Sequence, residues 1–169
     1  MTIDLNGKTI LITGASKGIG AASAEVLHGL GANVALVARS AKPLEDLASR
    51  LGDRVLTLPC DVTNYHNMAD AVAKTTARFG GLDVLVNNAG VIEPIARIED
   101  SDPEQWSRVV DINFKGVYNG MHAAFAPIKA SGGTMINISS GAASGALEGW
   151  SHYCATKAAV LSMTRCGHK

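Results

Sequence analysis

Short β-branched runs alternate with helical runs five times along this chain, and that alternation constrains the fold more than any other feature. Thr9-Ile10-Leu11-Ile12-Thr13 is nearly continuous apolar sequence and reads as a buried strand. Ile19 to Leu30 then carries apolar residues at helical spacing, closed by Gly31. The pattern repeats with strand 34–38 and helix Leu44–Leu51, whose Pro43 sits near the first turn. It continues with strand Arg54–Leu58 and helix Asn67–Phe79, then strand Val84–Val86 and a long helix from Pro103 to Ala126 that Pro127 is expected to bend or end. Strand Thr134–Ile138 and a helix from Ser151 to about Arg165 complete it.

Parallel strands joined through helices require right-handed crossovers, so the sheet is covered on both faces. The expectation is one α/β domain over residues 1–169, a doubly wound, Rossmann-like three-layer sandwich with strand order 3-2-1-4-5. Ligands of such sheets bind outside the carboxyl ends of the strands. A full sheet of this design has about six strands, so the one expected here is incomplete at its C-terminal end.

Between the first strand and the first helix lies Thr13-Gly14-Ala15-Ser16-Lys17-Gly18-Ile19-Gly20. Strand, glycines, then helix makes an anion site. Gly14 permits a tight turn, and Gly18 and Gly20 let backbone N–H groups and the helix N-terminus approach a pyrophosphate. The spacing is Gly-x-x-x-Gly-x-Gly rather than the commoner Gly-x-Gly-x-x-Gly. Gly14, Ser16, Lys17, Gly18, Ile19 and Gly20 are therefore candidates to hold a dinucleotide.

An acidic residue about 20 positions on would bind a ribose 2′-hydroxyl. Here the second strand ends Ala38-Arg39-Ser40 with no acid. Arg39 and the loop residue Lys17 suit a 2′-phosphate instead, which favours NADP(H) over NAD(H).

Tyr153 and Lys157 stand four residues apart on one helical face, with Ser140 thirteen residues before the tyrosine. A phenol with a reference pKa of about 10 is a poor base at neutral pH. A nearby ammonium favours the phenolate and lowers that value. Tyr153 is thus a candidate proton donor to a carbonyl oxygen, Lys157 its tuning partner, and Ser140 a group that orients the same oxygen.

Composition narrows the alternatives. Apolar residues make up 47% and charged residues 18%, with 15 basic and 15 acidic side chains. A nucleic-acid partner has little electrostatic support, and no apolar run approaches a membrane span of about 18 residues. Cys60, Cys154 and Cys166 form no C-x-x-C pair and read as reduced thiols. Met1-Thr2-Ile3-Asp4-Leu5-Asn6 lacks the apolar core of a signal peptide, so a cytoplasmic protein is expected. Histidines 28, 66, 122, 152 and 168 show no ligand spacing, so no metal is expected.

Taken together, Thr13-Gly14-x-x-x-Gly18-x-Gly20, Asp61, Asn87-Asn88-Ala89-Gly90, Asn113, Ser140 and Tyr153-x-x-x-Lys157 resemble the short-chain dehydrogenase/reductase family in its short form. The resemblance runs from Lys8 to about Arg165. It implies a nicotinamide-dependent oxidoreductase acting on a carbonyl or secondary alcohol. It implies further that Asp61 and Val62 flank the adenine, that Asn88 and Gly90 line the cofactor floor with Tyr153 and Lys157, and that Asn87 ties strands together. Asn113 would join the catalytic set by holding a proton-relaying water.

The same family carries further strands, a Pro-Gly turn and a substrate loop after Tyr-x-x-x-Lys, which this sequence lacks, and the expectation is a chain derived from a longer enzyme. In the family the long helix and the last helix pair subunits, so a homo-oligomer is implied for the full-length protein and left open for this chain. Two readings stand: an NADP(H)-dependent oxidoreductase, and a non-catalytic dinucleotide-binding module or sensor.

Overall fold

The computed structural model describes residues 4–167. His168, and part of the segment read against a signal peptide, lie outside them. Five parallel strands, β1 (Thr9–Thr13), β2 (Asn33–Ala38), β3 (Val55–Pro59), β4 (Val84–Asn87) and β5 (Thr134–Asn137), form one sheet in the order β3-β2-β1-β4-β5. This is the expected doubly wound order. Central β1 pairs Leu11 with Ala35 on one side and with Leu85 on the other.

Every residue of β1 is buried, because helices cover both faces of the sheet. Successive side chains point to opposite faces, and each face has its own cluster. Ile10, Ile12, Val34 and Leu36 meet Ala24 of α1 (Gly18–Gly29) and Leu44 and Leu47 of α2 (Ala41–Leu51). Leu11, Ala35, Val37 and Leu85 meet Met68, Ala71 and Val72 of α3 (Tyr65–Phe79), with Ala124 and Ile128 from farther along the chain.

Helix starts follow local chemistry. Asn64 caps α3 by accepting from the Asn67 N–H at 3.2 Å, which places the start two residues before the expected Asn67. Helix α2 likewise begins at Ala41, because Pro43 fits within a first turn whose N–H groups have no helical partner.

The expected long helix is three pieces. Helix α4 (Pro103–Val110) opens with Asp102 accepting from the Glu104 and Gln105 N–H groups. A π-helical turn, Asp111–Lys115, follows, and α5 (Gly116–Ser131) runs on from it. Pro127 does not end α5. The helix continues to Gly132, whose left-handed conformation (φ 63°, ψ 30°) lets the N–H groups of Gly132 and Gly133 bond back to the last turn. Helix α6 (Ser151–Gly167) packs against α4 and against a short 3-10 turn, Gly141–Ala143. Among the described residues no helix is long and apolar enough to cross a membrane.

Candidate active site

The candidate residues gather where the strands end. Gly14 follows β1, Arg39 follows β2, Asp61 and Val62 follow β3, Asn88 and Gly90 follow β4, and Ser140 follows β5. Parallel strands put all five loops on one rim.

The glycine loop turns at Gly14, whose φ of +68° favours glycine. A methyl group there would lie 2.8 Å from Ala89 Cα. Gly20 is buried, and a methyl group there would collide with the Gly14 carbonyl and the Asn88 amide. The absence of a side chain at Gly20 therefore seats the helix against its own loop, whereas Gly18 (φ +57°) borders open space. Lys17 begins α1 in extended conformation with no side-chain cap, and no acid stands in the first turn. Helix N–H groups are left for an anion. Ser16 is half-buried, Lys17 is exposed, and Ile19 is 66% exposed, an apolar side chain at the lip of the loop. This bare, positive-φ backbone at a helix N-terminus fits a dinucleotide.

A threonine outside the candidate set holds the rim together. Thr13 Oγ1 accepts from the N–H groups of Asn88 and Ala89, each at 3.0 Å, and donates to the Val86 carbonyl at 3.4 Å. Asn88 donates from Nδ2 to the carbonyls of Thr13 (2.9 Å) and Gly14 (3.3 Å), so its amide fastens the glycine loop. Asn87 reaches across to β5, where Nδ2 donates to Asn137 Oδ1 at 2.9 Å. Asn87 Oδ1 is buried with no hydrogen-bond partner among the described residues, against Gly120 of α5.

Arg39 and Lys17 are both exposed, and neither forms an ion pair among the described residues. Asp61 Oδ1 accepts from the Thr63 N–H (3.0 Å) and hydroxyl (2.9 Å), closing a local turn. Val62 is buried; its side chain lies against Gly116 and its carbonyl accepts from Asn119 Nδ2 at 2.9 Å. The structure thus turns the Val62 side chain toward α5. Gly90 is exposed beside Asn113.

Ser140 Oγ accepts from the Ala142 N–H at 3.2 Å and caps the 3-10 turn on which α6 rests. Its hydroxyl hydrogen remains available to another acceptor. Tyr153 is half-buried, with Trp150 edge-on at 5.6 Å between ring centroids. Lys157 is only 5% exposed; its Nζ lies 5.6 Å from the centre of the Tyr153 ring and donates to the Ile138 carbonyl at 2.7 Å. Burial pushes the Lys157 ammonium below the ordinary lysine range. Ile138 stands two residues before Ser140, so the strand end that receives Lys157 also carries the serine.

Asn113, in the π-turn, spends its amide on protein. Oδ1 accepts from the Val91 N–H and Nδ2 donates to the Val91 carbonyl, both at 2.8 Å, with Thr156 Oγ1 at 3.4 Å from Nδ2. Thr156 and Asn119 were not foreseen from sequence, because their partners are distant in the chain.

Two concavities stand apart from this rim. One, of about 570 Å³, runs along β3 and α3 past Cys60 and Asp70; the other, of about 490 Å³, is apolar and lies between Phe125 of α5 and Met163 of α6. Burial pushes the Cys60 thiol up to about 11, aided by the charges of Asp61 and Asp70, which disfavours its thiolate. Among the described residues no three His, Cys, Asp or Glu side chains gather to hold a metal ion.

A parallel sheet in the order β3-β2-β1-β4-β5, with a glycine turn opening its first helix at the rim, defines a class of α/β dinucleotide-fold proteins. The chain belongs to the short chain dehydrogenase family, whose sequence profile matches residues 8–169. It is 38% identical over 171 residues to trans-4-hydroxycyclohexanecarboxylate dehydrogenase of Sinomonas cyclohexanicum, covering 94% of this chain and 64% of that protein. It is 40% identical over 154 residues to an uncharacterised oxidoreductase of Schizosaccharomyces pombe, covering 90% and 61%. The chain thus spans under two thirds of the length of either relative. Among solved structures it is similar to an alcohol dehydrogenase from the archaeon Thermococcus sibiricus complexed with 5-hydroxy-NADP. There the TM-score is 0.91 at 31% identity, over 95% of this chain and 70% of that one.

Proposed function

We propose that this protein is an NADP(H)-dependent oxidoreductase that interconverts a carbonyl compound and a secondary alcohol. The observation that carries the reading is the placement of Lys157, a buried ammonium 5.6 Å from the Tyr153 ring and anchored at the strand end that leads to Ser140. In reduction, Tyr153 gives its phenolic proton to the substrate oxygen, and in oxidation it takes that proton back. Lys157 favours the phenolate by its charge. Ser140 donates a hydrogen bond to the same oxygen and holds the carbonyl carbon in line. The nicotinamide, when bound, supplies or accepts the hydride.

On this reading the α1 N-terminus and the backbone at Gly18 hold the diphosphate, while Arg39 and Lys17 take the 2′-phosphate. Asp61 and the backbone at Val62, whose side chain is turned toward α5, flank the adenine, Asn88 and Gly90 line the cofactor floor, and Asn113 supports the proton path through its turn. The apolar face of Tyr118, Met121, Phe125 and Met163 supports a homo-oligomer. Three free thiols suit a reducing cytoplasm.

The test is NADPH oxidation against a panel of ketones, with NADPH binding followed by fluorescence. Tyr153→Phe should cut turnover by at least about a thousandfold while leaving the NADPH Kd within about twofold. Undiminished turnover in that variant would remove the tyrosine from the mechanism. Binding without any turnover in the native chain would favour the non-catalytic module.

A further inference from the structure

His152 immediately precedes Tyr153 and is 2% exposed, yet the chemistry above does not use it. Its Nε2 lies 2.7 Å from the carbonyl oxygen of Ile92. A carbonyl only accepts, so Nε2 must carry the hydrogen. Ile92 follows Val91, whose N–H and carbonyl are both taken by the Asn113 amide. Asn113 in turn reaches Thr156 Oγ1, and that hydroxyl donates to the Tyr153 carbonyl at 2.9 Å. The dipeptide Val91–Ile92 is therefore gripped from two elements, and both grips lead to the first turns of α6.

Neighbouring contacts act in the same sense. Trp106 Nε1 donates to Ser151 Oγ at 3.1 Å, and the Ala96 N–H donates to the Gly149 carbonyl at 3.1 Å. Among the side chains that tie α6 to the 91–96 segment, His152 adjoins Tyr153 in the chain and is itself buried.

We propose that His152 is a positioning residue for Tyr153. By donating from Nε2 to the Ile92 carbonyl it ties the first turn of α6 to the loop that follows Asn88–Gly90, and hence sets where the phenol stands relative to the Lys157 ammonium, which is itself held on the Ile138 carbonyl at the end of β5. Charge interaction falls with distance, so a looser turn weakens the support that Lys157 gives to the phenolate. The consequence for turnover rests on the oxidoreductase reading, but the geometry does not.

The experiment titrates the Tyr153 phenol by absorbance near 295 nm, subtracting the signal of Tyr153→Phe. His152→Leu should raise the midpoint by at least about 0.5 pH unit, and His152→Gln, whose amide can donate to the same oxygen, should restore it to within about 0.2 unit. An unmoved midpoint in His152→Leu, or a glutamine variant that behaves like the leucine one, overturns the proposal. Where the leucine variant does not fold, ring ¹⁵N spectra of the native protein decide: an Nε2–H tautomer supports the proposal and an Nδ1–H tautomer overturns it. These readouts need no turnover, so a chain that binds NADPH and reduces nothing would count against the oxidoreductase reading alone.

Discussion

The Lys157 ammonium donates to the carbonyl oxygen of Ile138 at 2.7 Å, joining α6 to the end of β5. Folding places this cation in a site that disfavours its charge, and its pKa falls. Below the lowered folded value the penalty is fully present. As pH rises through that value toward the unfolded value of about 10.4, the penalty is relieved and the fold gains stability. The native protein should therefore gain on Lys157→Met between about pH 7 and pH 10 in urea denaturation. A gap that stays constant over that range would contradict the assignment.

Arg39 offers an exposed guanidinium at the end of β2, where an acid would be needed to bind a ribose hydroxyl. Losing a charge-assisted contact to a phosphate costs about 1.5–3 kcal/mol, on the order of tenfold to a hundredfold in Kd. Arg39→Ser should weaken NADPH by that factor and leave NADH nearly unchanged, both read by fluorescence titration. Equal losses for the two nucleotides would count against a 2′-phosphate contact.

Gly120 allows α5 to lie against the Asn87 amide, where a methyl group would collide with Oδ1. Helix propensity favours alanine over glycine by about 1 kcal/mol, but overpacking costs about 1–3 kcal/mol. Displacing Asn87 would also disturb its bond to Asn137. Gly120→Ala should destabilise the fold by about 1–2 kcal/mol in urea denaturation. Gly29→Ala, with nothing within 4 Å of the new methyl group, should instead be neutral or stabilising.

Asp83 joins the starts of β4 and β1. Burial alone would raise its pKa, but Lys8 Nζ at 2.8 Å and the Thr9 N–H at 2.9 Å outweigh that, and the net value is lowered. A lowered carboxylate stabilises the fold above its unfolded pKa of about 3.9 and loses that contribution as pH falls through the folded value. Lys8 is largely exposed, so the ion pair itself adds under about 1 kcal/mol. Asp83→Asn should be less stable than the native protein at pH 7, and the difference should shrink on acidification in thermal denaturation.

Strands and their order were legible because β1, β2 and β4 are buried on both faces and read as unbroken β-branched and apolar runs. The rim was legible in part because the residues ending those runs are of chemically distinctive type. The π-turn at Asp111–Lys115 was not legible, since the apolar spacing of Val109, Ile112 and Val117 passes through it without a visible break. Pro127 does not end α5, because one missing N–H near a helix end costs little when Gly132 closes the next turn. The inward turns of Gly20 and Val62, and the Asn113–Val91 pair, depend on partners far away in sequence, which no local pattern encodes.

Thr13, where β1 ends, gives its hydroxyl to the loop that follows β4. Its oxygen is shared by the N–H groups of Asn88 and Ala89, while Asn88 in return clasps the carbonyls of Thr13 and Gly14. The turn that would cradle a diphosphate and the shelf beside it are thereby riveted into one plate. Neither loop can then be displaced without breaking hydrogen bonds to the other.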